Sequence, residues 1–497
     1  CRKSKANQAA IAKVGGIPKL VSVLVGFSAA AFKEPALAHL VSLAADAVKE
    51  MAEDNKNNQN AIAESGAIPP LVAMLGSGVA DAARLKQMQA NAAGALANLA
   101  KNNSENQQQI ARTGAIAPLC TLVREGSEEA KDHSAHAIWT LATDNAANKD
   151  TIAKLGGIDP LLGLLVTGLT DRSQVCVAGA LAALAAKHTD NRGVIAKRLV
   201  GLLGTAASRG APVAVRVLLA VSSFASDSTA NQIALAKSGV IPPLITWLGN
   251  TSTSAQQAAA NAMLCLAVDN TTTQVLIASS NGIPPLINLV KARGSTPLAM
   301  DSAARALFHI ASQPENQGAI AESGAIKPLV GMLSASFTSL ADDEVGEDKG
   351  KAPSEQTIAA ASVASELACI VLLRLTRGTT GVAESIASAG GILPLVQLLS
   401  QGTPGAQQQA ASTLAELALV PSNRDLIASA GGIQPLITLL TSVAIHTPET
   451  AARSLARLAL QDDDDGGEES LVKQLSSSGE AVPGEGGEGG AGGDGKP

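Results

Sequence analysis

The sequence predicts an all-α solenoid of about ten stacked three-helix units, on three observations. First, one motif recurs along the chain: IAKVGGIPKLVSVL at 11–24, IAESGAIPPLVAML at 62–75, IARTGAIAPLCTLV at 110–123, IASAGGIQPLITLL at 427–440. With the remaining copies, units start near residues 11, 62, 110, 152, 195, 235, 277, 320, 386 and 427, and from Ile110 to Ile320 the starts are 42, 43, 40, 42 and 43 residues apart. A fixed period of this length marks a repeat architecture. Second, glycine and proline hold register inside the motif. Third, the chain is 46% apolar with two Trp, five Phe and no Tyr, so its core is Ala, Leu, Val and Ile, small side chains that let helices approach closely.

Each element of the unit follows in order. The first helix is short and ends at a glycine two positions before the second Ile, as at Gly66, Gly114 and Gly324, where a left-handed residue stops a helix. In the seventh unit Asn281 takes that place; Asn tolerates the conformation next best. A proline two positions after the Ile, as at Pro70, Pro160 and Pro435, opens the second helix, where its missing N–H costs little. That helix carries Ile68, Leu71, Val72 and Leu75, a single apolar stripe. The third helix repeats the spacing with Ala92, Ala95, Leu96 and Leu99. No unit can bury its stripes alone, and stacking buries them continuously.

Two places depart from the pattern. In unit five Ile195 runs into KRLVGLL without the Gly–Pro break, so its first and second helices are expected to merge or shorten. Between Ile320 and Ile386 the spacing stretches to 66 residues; the excess, 334–356, is acidic with Gly and Pro and reads as a disordered insertion within an array spanning 1–460. Residues 461–497, acidic and glycine-rich, read as a disordered tail.

Net charge is −6, of which the tail alone contributes ten acidic against two basic residues, leaving a slightly basic body. A dedicated nucleic-acid binder would carry a strong basic excess, so no nucleic acid is expected. Five widely spaced cysteines without a CxxC suit a reducing compartment: cytoplasmic, also nuclear, not secreted. No apolar run reaches the ~20 residues that span a bilayer. The chain opens CRKSKANQ without an initiator Met and reads as a fragment, so membrane anchoring is expected only through residues upstream, and the array itself as a monomer.

A three-helix unit with G-x-I-x-P-L-hydrophobic-x-L-L resembles the armadillo repeat, from residue 7 to about 460. The resemblance implies a right-handed superhelix whose third helices line a concave groove. In importin-α adaptors of this family, Asn and Trp one turn apart recur along that groove and hold an extended peptide. Here Asn98 fills the Asn place, but its counterparts include Thr140, Ala183, Cys265 and Glu416, and no Trp falls in the Trp row, where Gly94 and Gly179 stand. Trp139 and Trp247 are expected in the core. The candidate groove residues are Asn91, Asn98, His133, His136, Asn261, Arg305, His309, Arg374, Arg453 and Arg457. The arginines gather toward the C-terminal end, where guanidinium forks suit an acidic partner segment. The acidic tail, starting just past Arg457, is expected to fold back and compete.

No GxxxxGK[ST], GxSxG, HExxH or paired CxxC occurs, so no catalysis and no cofactor are expected. Glu129, His133 and His136 fall on one helix face with metal-ligand spacing, but are read as a polar patch of the exposed groove, with no metal. The leading expectation is a non-enzymatic protein–protein interaction scaffold, similar to vacuolar-tether and plant armadillo-repeat proteins. The alternative is the substrate-recruiting armadillo region of a U-box ubiquitin ligase; a nuclear import adaptor is disfavoured.

Overall fold

The computed structural model describes residues 4–31, 35–76, 82–167, 170–291, 295–338, 355–442, 444 and 446–460. Unit one is α1 (Lys5–Lys13), α2 (Gly16–Ala31) and α3 (Pro35–Ala52); unit two α4 (Lys56–Glu64), α5 (Ile68–Leu75) and α6 (Ala82–Ala100). Unit three is α7 (Ser104–Arg112), α8 (Ile116–Glu125) and α9 (Glu128–Ala142); unit four α10 (Ala146–Lys154), α11 (Ile158–Thr167) and α12 (Asp171–Ala185). Unit five has two α-helices, α13 (Thr189–Ala206) and α14 (Ala211–Ala225), joined by a short 3-10 turn at Ala207–Arg209. Unit six is α15 (Thr229–Lys237), α16 (Ile241–Leu248) and α17 (Thr253–Ala267); unit seven α18 (Thr271–Ser279), α19 (Ile283–Lys291) and α20 (Pro297–Ile310). Unit eight is α21 (Pro314–Glu322), α22 (Ile326–Thr338) and α23 (Glu355–Gly378). Unit nine is α24 (Val382–Ser388), α25 (Ile392–Gln401) and α26 (Pro404–Leu417); unit ten α27 (Pro421–Ser429), α28 (Ile433–Leu439) and α29 (Thr447–Leu458). No strand occurs among the described residues. The described residues form an all-α helical repeat solenoid.

The break between first and second helices sits at the predicted glycines. Gly66, Gly114 and Gly324 take φ of 88°, 85° and 73°, and Asn281 takes 62° in their place. Across that residue α1 and α2 turn by 77°, and α24 and α25 by 82°. In unit five, where the break is missing, α13 runs through both segments as one helix. A second left-handed position follows the third helices at Asp54, Asn102, Asp144, Lys187, Asp227 and Asp269. Polar side chains then cap the next first helix: Asn55, Asn103, Asn145 and Asn270 each accept from a backbone N–H three residues on.

The two ends of the insertion expected at 334–356 are helical: α22 continues to Thr338 and α23 begins at Glu355. Residues 339–354 and the tail 461–497 lie outside the described residues.

Apolar stripes interlock into one continuous core. Ile68, Leu71, Met74 and Leu75 of α5 and Ala92, Ala95, Leu96 and Leu99 of α6 are fully or almost fully buried, each large side chain worth about 1.5–3 kcal/mol. A ladder of side-chain amides ties the units together. Asn58, Asn106, Asn148, Asn191 and Asn231 each donate to the carbonyl seven residues earlier, at the end of the preceding third helix, over 2.8–3.2 Å. The neighbouring Gln107 and Gln232 reach forward to the Thr140 and Cys265 carbonyls at the end of their own unit's third helix. Helix C-termini leave carbonyls without intrahelical partners, and this Asn–Gln pair satisfies them from both sides.

Candidate peptide-binding groove

The third helices α3, α6, α9, α12, α14, α17, α20, α23, α26 and α29 pack side by side, each on the next. First and second helices pack behind them, so one face of this ladder carries the predicted rows. The structure places the candidates on it unequally, and several are already engaged inside the molecule.

In the N-terminal half, Asn91 is buried: its Nδ2 donates to the Ser42 carbonyl at 3.0 Å and to Ser42 Oγ at 3.1 Å. It staples α6 to α3 and is not a groove residue, which corrects the expectation. Asn98 stands half-buried at the groove, but its Nδ2 donates to the Lys49 carbonyl at 2.9 Å. The amide that would pair with a peptide backbone caps α3 instead.

His133 and His136 also depart from the exposed polar patch expected of them. His133 is only 4% exposed, its Nε2 lies 3.9 Å from Glu129 Oε1, and its Nδ1 has no hydrogen-bond partner. A Cβ on Gly94 would come within 2.7 Å of Lys49 Cδ and 3.1 Å of His133 Nδ1, so the missing side chain is what lets both cross α6. Burial first, and then the Arg172 charge, pushes His133 down to about 3 and His136 down to about 4. Both rings are therefore neutral near pH 7. The cations Lys49, Lys101 and Arg172 that depress them also oppose a bound metal ion. Lys49, Lys101 and Arg172 line a pocket of 290 Å³ together with Glu50, Asn98 and the two histidines. Trp139, expected in the core, is half-buried, and its ring lies over Gly179, where a Cβ would sit 2.5 Å from it. Trp247 is buried as expected.

In the C-terminal half, Asn261 is half-buried on α17. Arg305 pairs with Asp301 on its own helix at 2.9 Å, and Arg453 with Glu449 at 2.8 Å. Both pairs are i,i+4 and exposed, which makes them weak, about 0–1 kcal/mol. Arg374 lies 4.3 Å over the Phe308 ring and donates to the Phe308 carbonyl and to Ser312 Oγ, capping α20. His309 packs edge-on against Phe308 at 4.9 Å, and burial lowers its pKa.

Glu416 organises the end of the groove. It is 8% exposed and accepts from Arg377 Nε at 2.8 Å and from Arg457 at 2.9 Å. Burial works to raise this carboxyl, but the two arginine hydrogen bonds outweigh it and hold the group below its usual range. Arg377 escaped the sequence reading, which took Arg374 for the groove row. The signal available was its place one turn beyond Arg374, on the same helix face.

No family model and no curated protein matches this chain. Among solved structures, an engineered protein is similar over 89% of this chain and 99% of its own length, at 26% identity and a TM-score of 0.59. A designed armadillo repeat protein is similar over 53% of this chain and 99% of its own, at 22% identity and a TM-score of 0.43. A third structure, of computationally designed armadillo repeat proteins for modular peptide recognition, aligns over 52% of this chain at 19% identity and a TM-score of 0.44. No single helix among the described residues is long and apolar enough to cross a membrane.

Proposed function

We propose that this chain is a non-catalytic scaffold that takes an extended segment of another protein along its third-helix ladder, with acidic residues of that segment seated on the C-terminal half. The observation that carries this reading is the Arg377–Glu416–Arg457 bridge across α23, α26 and α29. One buried carboxylate holds two guanidiniums in place and neutralises only one of them. The surplus positive charge sits on side chains whose rotamers are already restricted, which lowers the entropy cost of binding. Arg377 keeps half of its side chain exposed for a partner carboxylate. Consecutive third helices pack directly on one another, and at about 8–10 Å between packed helices an extended peptide would meet one such helix per unit.

Fluorescence anisotropy of the array with labelled acidic, basic and neutral peptides tests the reading. The acidic peptide should bind tightest, and Arg377→Ser, which leaves Glu416 paired with Arg457, should weaken it about tenfold, the order of one charge-assisted hydrogen bond. Equal affinity for acidic and basic peptides would overturn it.

A further inference from the structure

The last unit ends in an apolar face that the unit before it buries. Ile433 and Ile437 of α28, and Leu440 just past it, are 43%, 45% and 40% exposed. Their counterparts one unit earlier, Ile392, Val396 and Leu399, are 6%, 6% and 2% exposed. The difference has a plain cause. Val396 packs against the start of the following unit's second helix, so closely that a Cβ on Gly432 would lie 3.2 Å from its Cγ2. Unit ten has no such neighbour among the described residues. Terminal units of a solenoid normally present a polar outer face, and this one does not.

The chain carries a candidate to cover it. Residues 461–497 contain only four large apolar side chains, Leu471, Val472, Leu475 and Val482. The first three are spaced 0, 1, 4. That is the core spacing of the second helices themselves: Leu71, Val72 and Leu75 in α5, Leu329, Val330 and Leu333 in α22, Leu395, Val396 and Leu399 in α25. In an eleventh unit, the helix bearing this triplet is what would pack on α28. We propose that residues 470–475, SLVKQL, dock on the outer face of unit ten, Leu471, Val472 and Leu475 covering Ile433, Ile437 and Leu440 as a half-unit that closes the solenoid.

Reach and concentration favour this occupant. The ten residues from Leu460 to Ser470 extend up to ~33 Å, several times the 8–10 Å between packed helices. A tethered segment also competes at millimolar effective concentration. The intervening QDDDDGGEE is polar throughout and suits a linker that crosses the surface without packing on it. The proposal is independent of what the groove binds.

Hydrogen exchange on the full chain tests it. Leu471→Asp with Leu475→Asp should speed exchange across α28 at least tenfold and leave α8 unchanged. Lys473→Asp with Gln474→Asp, which adds the same two carboxylates beside the triplet, should leave α28 as it was. Ile437→Cys with Leu475→Cys should close an intramolecular disulfide in dilute protein. Unchanged exchange in the first variant, equal loss in the second, or protection of α28 that grows with protein concentration and so marks a second copy on the face, would each overturn the proposal.

Discussion

At the scale of single residues, the groove is governed by which polar side chains the fold has already consumed. His133 shows this most sharply. Its ring is buried with one nitrogen unpartnered, and burial holds it neutral down to about pH 3. In the unfolded chain the same ring takes a proton near pH 6.5. Between those values the unfolded state binds more protons, so stability must fall as pH falls from about 6.5 toward 3. The slope for one such histidine is about 1.4 kcal/mol per pH unit. We expect His133→Leu to lose less protection in α9 between pH 7 and pH 5 than the unaltered chain, by about 2 kcal/mol, as read by hydrogen exchange at the two pH values. An identical pH dependence would show that the ring titrates normally in the folded state. None of this was legible in the sequence. Register placed His133 on the groove side, but its burial depends on Gly94, 39 residues away, and on the Lys49 side chain crossing over it. Asn91 misled for a similar reason, since its partner Ser42 belongs to the preceding unit.

At the scale of helices, apolar spacing and the Gly–Pro break were sufficient to place the three elements of each ordinary unit and to anticipate the fused α13. Periodicity left the polar positions of the first helices without a role, and the structure supplies it. Asn106 donates to the Leu99 carbonyl at 3.0 Å and Gln107 to the Thr140 carbonyl at 2.9 Å, so one dipeptide closes the ends of two consecutive third helices. The doublet recurs as Asn58–Gln59, Asn231–Gln232 and Asn316–Gln317. Its meaning was hidden because the acceptors are backbone carbonyls, which leave no mark in a sequence. Both groups are buried, so removing a donor leaves a carbonyl unsatisfied at a cost of about 1–3 kcal/mol. Asn106→Ala should therefore lower local stability by that amount in α6 and α7, with units eight to ten untouched, because a solenoid couples only neighbours. Hydrogen exchange resolved by helix would measure it, and a uniform loss along the whole chain would contradict the nearest-neighbour picture.

At the scale of the whole molecule, the gradient of charge along the groove is real in sequence and largely cancelled in space. Five arginines, Arg305, Arg374, Arg377, Arg453 and Arg457, gather on α20, α23 and α29, and three carboxylates, Asp301, Glu416 and Glu449, pair with four of them. The excess is two positive charges, which sets how strongly an acidic segment is drawn in and how steeply salt weakens it. The i,i+4 pairs were readable from spacing alone, whereas the bridge through Glu416 needed three helices from three units to be brought together. Asp301 and Glu449 lie on their own helices and at least part of each faces solvent, so neutralising them should not disturb the fold, unlike a change at Glu416. Asp301→Asn with Glu449→Gln would raise the groove excess from two charges to four. Charges on this face act on an approaching segment within a Debye length of about 10 Å at 0.1 M salt, and such charges change association rate and salt dependence more than they change contacts. The double variant should bind an acidic peptide several-fold tighter at about 0.05 M salt, mostly through faster association, and the advantage should vanish near 1 M, where screening shortens to about 3 Å. Stopped-flow association rates measured across that salt range decide the matter. A gain that persists at high salt would place the partner's carboxylates in direct contact with Arg305 and Arg453, and no gain at low salt would remove the C-terminal half of the groove from the binding surface.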